Sequence, residues 1–358
     1  MSLVFALLAP LVMAQADVKL IPVVAPAYTP ELGFLLNAGG VMTWNGDASN
    51  PSLPRSSLNV VAGGGTVGAF LFQSRLVTFL QGDATRINAT IDVRDQPDHF
   101  FGVGFTNGFT RHIGKETTYF RRTWWNADPT VLRRLVGPLY GGMVLQLSGA
   151  IAREVSAGVV ADADFARHGS TVLNTGVGLT LQLDTRDVPI NAWKGVLLSL
   201  TWTGYGRALG ANTEFHALSF DYRHYVQLFR PGSTLAWEVK YRSAFGDVPW
   251  SELSMVGTPF DLRAYRWGQY RDRTGFMALL EYRFMLPFSP DSLWSHLGVA
   301  AWGGVGALGS TPLPDFTRVL PAAGAGLRVE LLKRVTVRLD VGFGRDSRAI
   351  YFNFLEAF

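Results

Sequence analysis

Apolar and polar residues alternate with a period of two in segment after segment of this chain, in runs of about ten residues, the length at which a tilted strand crosses a bilayer. In 217–228, Leu218, Phe220, Tyr222, Val226 and Leu228 share one face while Ser219, Asp221, Arg223, Tyr225 and Gln227 share the other. In 335–343, Val335, Val337, Leu339, Val341 and Phe343 oppose Thr336, Arg338, Asp340 and Gly342. In 276–284, Phe276, Leu280, Tyr282 and Phe284 stand against Glu281 and Arg283. Such a period belongs to strands, not helices. A soluble β-sandwich also alternates, with its apolar face turned to a dry core. Aromatic-heavy faces on nearly every run, a charged fraction of 17% and 39 glycines favour lipid as the neighbour of the apolar faces instead.

Beyond the extreme N-terminus no stretch approaches the roughly 18 to 20 continuous apolar residues of a spanning helix, so strands must do the crossing. Residues 1–16 read as a signal peptide: an apolar run from Leu3 to Met13, then Ala14-Gln15-Ala16, with cleavage before Asp17 and no basic n-region. Residues 17–30 are expected to be a short periplasmic segment and 31–358 a transmembrane β-barrel. The expected fold is all-β, a 16-stranded antiparallel transmembrane β-barrel. Its first strand is predicted at 31–43, its fifth at 98–106 and its last at 349–357, which makes 245–274 the sixth outer loop.

The chain has no cysteine, and its net charge of +4 is small and dispersed, which does not point to nucleic acid. The six histidines are scattered without metal-ligand spacing, and neither G-x-S-x-G nor H-E-x-x-H occurs. No metal, no cofactor and no enzymatic activity are therefore expected. "GGGTVG" (63–68) formally matches a dinucleotide fingerprint but lies between two strands with no helix after it, and reads as a hairpin turn. "LQLDTRDVPINAWKG" ends a strand on Asp184, continues with Arg186 and Asp187, and opens the next strand at Gly195; it reads as a charged periplasmic turn with local Asp–Arg pairing.

Residues 262–273, "LRAYRWGQYRDR", pack four arginines and three aromatics without strand alternation or a helical stripe. Together with the strand that follows, they resemble the barrel of the outer-membrane assembly-factor superfamily, the bacterial surface antigen or BamA/TamA type. The resemblance lies in Leu262-Arg263-Ala264-Tyr265 against the family's V/L-R-G-F/Y tip, and Glu281-Tyr282-Arg283 against its E-Y/F-R strand. Further echoes are "FFGVGF" (100–105), the Asp184–Asp187 turn, "GAGLRVEL" (324–331) and the aromatic end "IYFNFLEAF". Ala264 replaces the family's tip glycine, and Gly304 stands where the family has the aspartate of F-x-D-x-G. The fifteen or so residues before the first predicted strand leave no room for the family's POTRA domains.

The resemblance implies a sixth loop folded into the lumen, insertion or translocation of polypeptides at a bacterial outer membrane, and outer-membrane lipid, lipopolysaccharide and client polypeptides as partners. The rival reading is a passive pore or structural barrel that has lost assembly activity. A buried Arg263 needs a fixed carboxylate, and alternation offers Glu281, on the lumen face beside Arg283, with Asp221 or Asp340 as helpers. A client strand would enter at a weak seam between the first and last strands, expected at Gly39 and Gly40 on one side and Phe354 and Phe358 on the other.

Overall fold

The structure is a computed structural model that describes residues 18–46, 53–287, 293–332 and 334–358; the predicted signal peptide lies outside the described residues. Among the described residues nineteen strands form, seventeen of them in one antiparallel sheet. The sheet begins with β1 (Lys19–Thr29), β2 (Gly33–Trp44), β3 (Ser56–Gly65), β4 (Phe70–Leu80) and β5 (Thr85–His99). It continues with β6 (Tyr119–Ala127), β7 (Thr130–Val136), β8 (Leu139–Arg153), β9 (Thr171–Asp184), β10 (Gly195–Tyr205), β11 (Phe215–Gln227) and β12 (Ser233–Gly246). It ends with β15 (Thr274–Met285), β16 (Leu297–Gly309), β17 (Val319–Leu332), β18 (Val335–Gly344) and β19 (Ser347–Phe354). The remaining strands, β13 (Ser254–Val256) and β14 (Tyr270–Asp272), pair only with each other.

β6 and β7 are two pieces of one stave, interrupted at Asp128-Pro129, because β5 and β8 pair with both. The sheet therefore has sixteen staves. It closes on itself where β1 meets β19. Closure leaves no long free edge, which is what a sheet immersed in hydrocarbon requires. The alternation is realised as expected: Leu280, Leu327, Leu339 and Ile350 are exposed on the outer face, while Glu281, Arg328, Arg338 and Asp340 are buried in the lumen. Among the described residues no helix is long and apolar enough to cross a membrane.

Two strand assignments need correction. The segment expected to be a periplasmic lead-in contains β1, and strand 98–106 does not exist as such: β5 runs on to His99, and a short helix, α1 (Phe105–Thr110), follows. β1 was obscured by Pro22 and Pro26, which lower strand propensity. The false strand "FFGVGF" alternates in sequence, but Gly102 and Gly104 have φ of 87° and 90°, which breaks extended geometry. These two errors cancel in the count, so the long loop after β12 is still the sixth outer one. At 63–68 the Gly65 N–H donates to the Ala69 carbonyl at 2.8 Å in a turn with Gly68 at φ 71°.

Candidate functional site: a loop locked into the barrel lumen

The sixth loop leaves β12 at Gly246, passes a single 3-10 turn at Trp250–Glu252, and forms the β13–β14 hairpin. Between these two short strands the chain dips to the tip, Leu262-Arg263-Ala264-Tyr265, and every tip residue is buried to 2% exposure or less. The Asp261 carboxylate shapes the descent by accepting from the backbone N–H groups of Thr258 and Leu262, both at 2.5 Å. Burial pushes the Asp261 carboxyl above its ordinary range. Ala264 is tolerated in place of glycine because its φ is not positive.

Small residues on the lumen face make the seat. A Cβ at Gly342 on β18 would overlap the Arg263 carbonyl oxygen, so only glycine lets the tip backbone reach the wall. At Gly304 on β16 a Cβ would lie 3.0 Å from Leu262 Cδ2 and 2.8 Å from Leu279 Cδ1. The position of the family's aspartate is thus occupied by the tip's leucine. Tyr265 completes the docking: its hydroxyl donates to the Pro321 carbonyl at 2.6 Å and accepts from the Arg345 N–H at 2.9 Å.

Arg263 meets both Glu281 and Asp340, the latter at 3.1 Å, and its guanidinium stacks 4.3 Å from the Trp302 ring centroid. Asp221 plays no part in this; it pairs with Arg223 at 2.6 Å. Glu281 also binds Arg283 at 2.7 Å and Arg328 at 3.5 Å. Arg328 bridges Asp340 at 2.8 Å and Glu356 at 2.9 Å. Arg338 binds Asp340 and donates to the Pro259 carbonyl of the loop at 2.6 Å. Four guanidiniums and three carboxylates therefore form one connected network, each side chain at most 7% exposed. Unpaired, any of these charges would be strongly destabilising in such surroundings; together they compensate one another.

The chain beyond β19 joins the network. Leu355 has φ 65° and turns 355–358 into the lumen, where Arg338 donates to the Leu355 carbonyl at 3.0 Å and Arg283 to the Phe358 backbone oxygen at 2.9 Å. Phe358, expected at the seam, instead packs in the lumen against Tyr225. Gly39 and Gly40 lie on β2, paired with both β1 and β3, one strand away from the seam. Phe354 is the last residue of β19. The seam itself has one registered pair among the described residues, Tyr28 with Phe352.

The outer mouth is roofed by α1, by α2 (Ala157–Val160) and α3 (Ala163–His168), and by the loop, with Phe100, Phe120, Phe165 and Trp250 packed together. Among the described residues Arg271 has no acid as ion-pair partner. It donates to the Gly268 and His99 carbonyls and lies over the Phe100 ring at 4.8 Å, and burial pulls its pKa down to about 10. At the opposite mouth, Arg186 and Asp184 pair locally at 2.9 Å, whereas Asp187 reaches the β17–β18 turn and binds Arg334 at 2.9 Å. The β5–β11 side of the lumen holds a cavity of about 250 Å³ lined by Asn88, Gln146, Thr180, Gln182, Ser199 and Thr201 among others.

Glu356, Trp302 and the two seat glycines were missed as site residues. Glycines recurring at lumen-facing positions, Gly304 with Gly306 and Gly342 with Gly344, were the available signal, since a wall stripped of side chains every second residue marks close backbone approach.

A family model described as the Omp85 superfamily domain matches residues 100–345. The BamA protein of Haemophilus ducreyi lacking POTRA domains 1–3 is similar in structure, with a TM-score of 0.61 at 12% identity, over 95% of this chain and 70% of that one. CdiB from Escherichia coli follows with 0.58 at 14% identity, over 97% and 68%, and CdiB from Acinetobacter baumannii with 0.55 at 12%, over 95% and 60%. At such identities the likeness is one of fold. No match to a curated protein sequence was found.

Proposed function

Because the chain belongs to the Omp85 superfamily and is an outer-membrane β-barrel, we propose that it assists insertion or translocation of polypeptides at that membrane, without catalytic chemistry. The observation that carries this reading is the contrast within one closed wall: neighbouring staves pair along their lengths, but β1 and β19 share a single registered pair. A barrel meant only to be stable has no reason to leave one junction so thin, whereas an incoming strand needs an edge to pair with. The locked loop keeps the lumen filled while the seam is unused.

Reconstituted into liposomes, the protein is expected to speed the folding of an eight-stranded outer-membrane barrel diluted from urea. A rate equal to that of empty liposomes rejects the proposal. The cavity lined by hydroxyl and amide groups favours a second reading, a narrow pore for small polar solutes. Steady stepwise conductance in planar bilayers, with no folding assistance, would select it.

A further inference from the structure

The backbone of β1 presents its two edges unequally. The Thr66 N–H donates to the Phe34 carbonyl at 2.9 Å, so the even-numbered residues of β2 direct their backbone groups to β3 and the odd-numbered ones to β1. Through the unbroken β1–β2 register, in which Ile21 opposes Val41 and Ala25 opposes Asn37, the odd-numbered residues of β1 answer β2. Its even-numbered residues, Leu20, Pro22, Val24, Pro26 and Tyr28, therefore face the seam. β19 can be read independently: the Leu355 N–H donates to the Thr336 carbonyl at 2.7 Å, so odd-numbered residues face β18, while Ile350, Phe352 and Phe354 face the seam. The two readings meet at the registered pair, Tyr28 with Phe352.

Continued from that pair, the antiparallel register would set Pro26 against Phe354 on one side and Pro30, just past the end of β1, against Ile350 on the other. Neither proline has an N–H to give. Pro22 repeats the defect further down. The odd-numbered positions of β1 carry no proline, which is why pairing with β2 is complete from Lys19 to Thr29. A strand added to the seam edge of β1 would leave carbonyls without donors opposite Pro22 and Pro26, and hydrocarbon offers no water to satisfy them. The seam edge of β19 contains no proline and offers a donor and an acceptor at each position.

We infer that Pro26 and Pro30 hold the seam to one rung, and that Pro22 and Pro26 give it a direction: a strand arriving there is taken up on β19 and not on β1. The uptake rests on the function proposed above; the proline spacing does not. Both can be tested on the full chain in liposomes. Pro22 and Pro26 expose their side chains on the outer face, so Pro22→Val with Pro26→Val keeps an apolar surface, and Pro26→Val alone serves if the pair fails to fold.

In the empty barrel, amide hydrogen exchange at Tyr28 and Phe352 should slow about tenfold in the double variant, as the restored donors extend the ladder. Unchanged exchange overturns the inference. The second arm offers a ten-residue peptide of alternating valine and threonine with one cysteine to barrels carrying Ile350→Cys on β19 or Val24→Cys on β1; the chain has no cysteine of its own. Disulfide yield should be severalfold higher at 350, and the proline replacements should raise the yield at 24. Equal yields in the native barrel overturn the direction. Slowed exchange with no conjugate at either edge would leave the proline effect standing and remove strand uptake, together with the function it rests on.

Discussion

Two regions of the same barrel wall solve opposite problems. Along β15 to β18, strands pair end to end and the lumen face is tied to the sixth loop by a continuous network running from Arg263 through Glu281 and Asp340 to Glu356. At the junction of β1 with β19 the ladder shrinks to Tyr28 and Phe352. The difference shows that a closed barrel is not uniformly strong, and that its strength can be placed by side chains in the lumen as much as by the backbone ladder. The regions are also connected: Arg338 holds both the Leu355 carbonyl and the Pro259 carbonyl of the loop, and Arg328 holds Glu356 together with the two acids that meet Arg263.

The strong side can be broken most directly at its shared carboxylate. Glu281→Ala leaves Arg263, Arg283 and Arg328 without one of their acids, and is expected to lower stability by roughly 3–5 kcal/mol, read from the heat-modifiable gel shift in detergent. Glu281→Gln should fall between Glu281→Ala and the native protein. A smaller loss, about 1–3 kcal/mol, is expected for Gly342→Val, which blocks the seat of the tip while leaving Glu281 paired with Arg283 and Arg328; conductance should rise as the loop leaves the lumen.

At the periplasmic mouth the tie is lighter. Arg334→Ala removes the partner of Asp187 and the stack on Trp193, and should cost about 1–2 kcal/mol with the lumen network intact. The smallest effect is one of pH. Burial would raise the Asp187 carboxyl, but the hydrogen bond from Arg334 and the backbone N–H groups of Trp193 and Lys194 hold it below its ordinary 3.8. Its contribution is therefore present above pH 3.8 and lost as the pH falls below that value, and Arg334→Ala should flatten this part of the acid unfolding curve.

Much of this was legible in the chain because a barrel writes its two faces into sequence with a period of two. Glu281, Arg283, Arg338 and Asp340 fall on the polar face by parity alone, and each is buried in the lumen. What parity cannot reveal is which edge of a strand a backbone group faces. Pro22 and Pro26 lower the strand propensity of 19–29, which was expected to be a periplasmic segment, although they sit where a missing donor harms no pair with β2. The inward turn of 355–358 was equally hidden, because it depends on the left-handed conformation at Leu355, which nothing about leucine announces. Asp187 looked like a member of a local pair because its partner is 147 residues away.

The loop lock is tested most directly by trypsin on native protein in liposomes beside its Glu281→Ala variant, with cleavage after Arg263 followed by mass. The native tip should resist cutting under conditions in which the variant is cut at that bond. Equal cleavage of the two would contradict a loop held inside the barrel by its acidic wall.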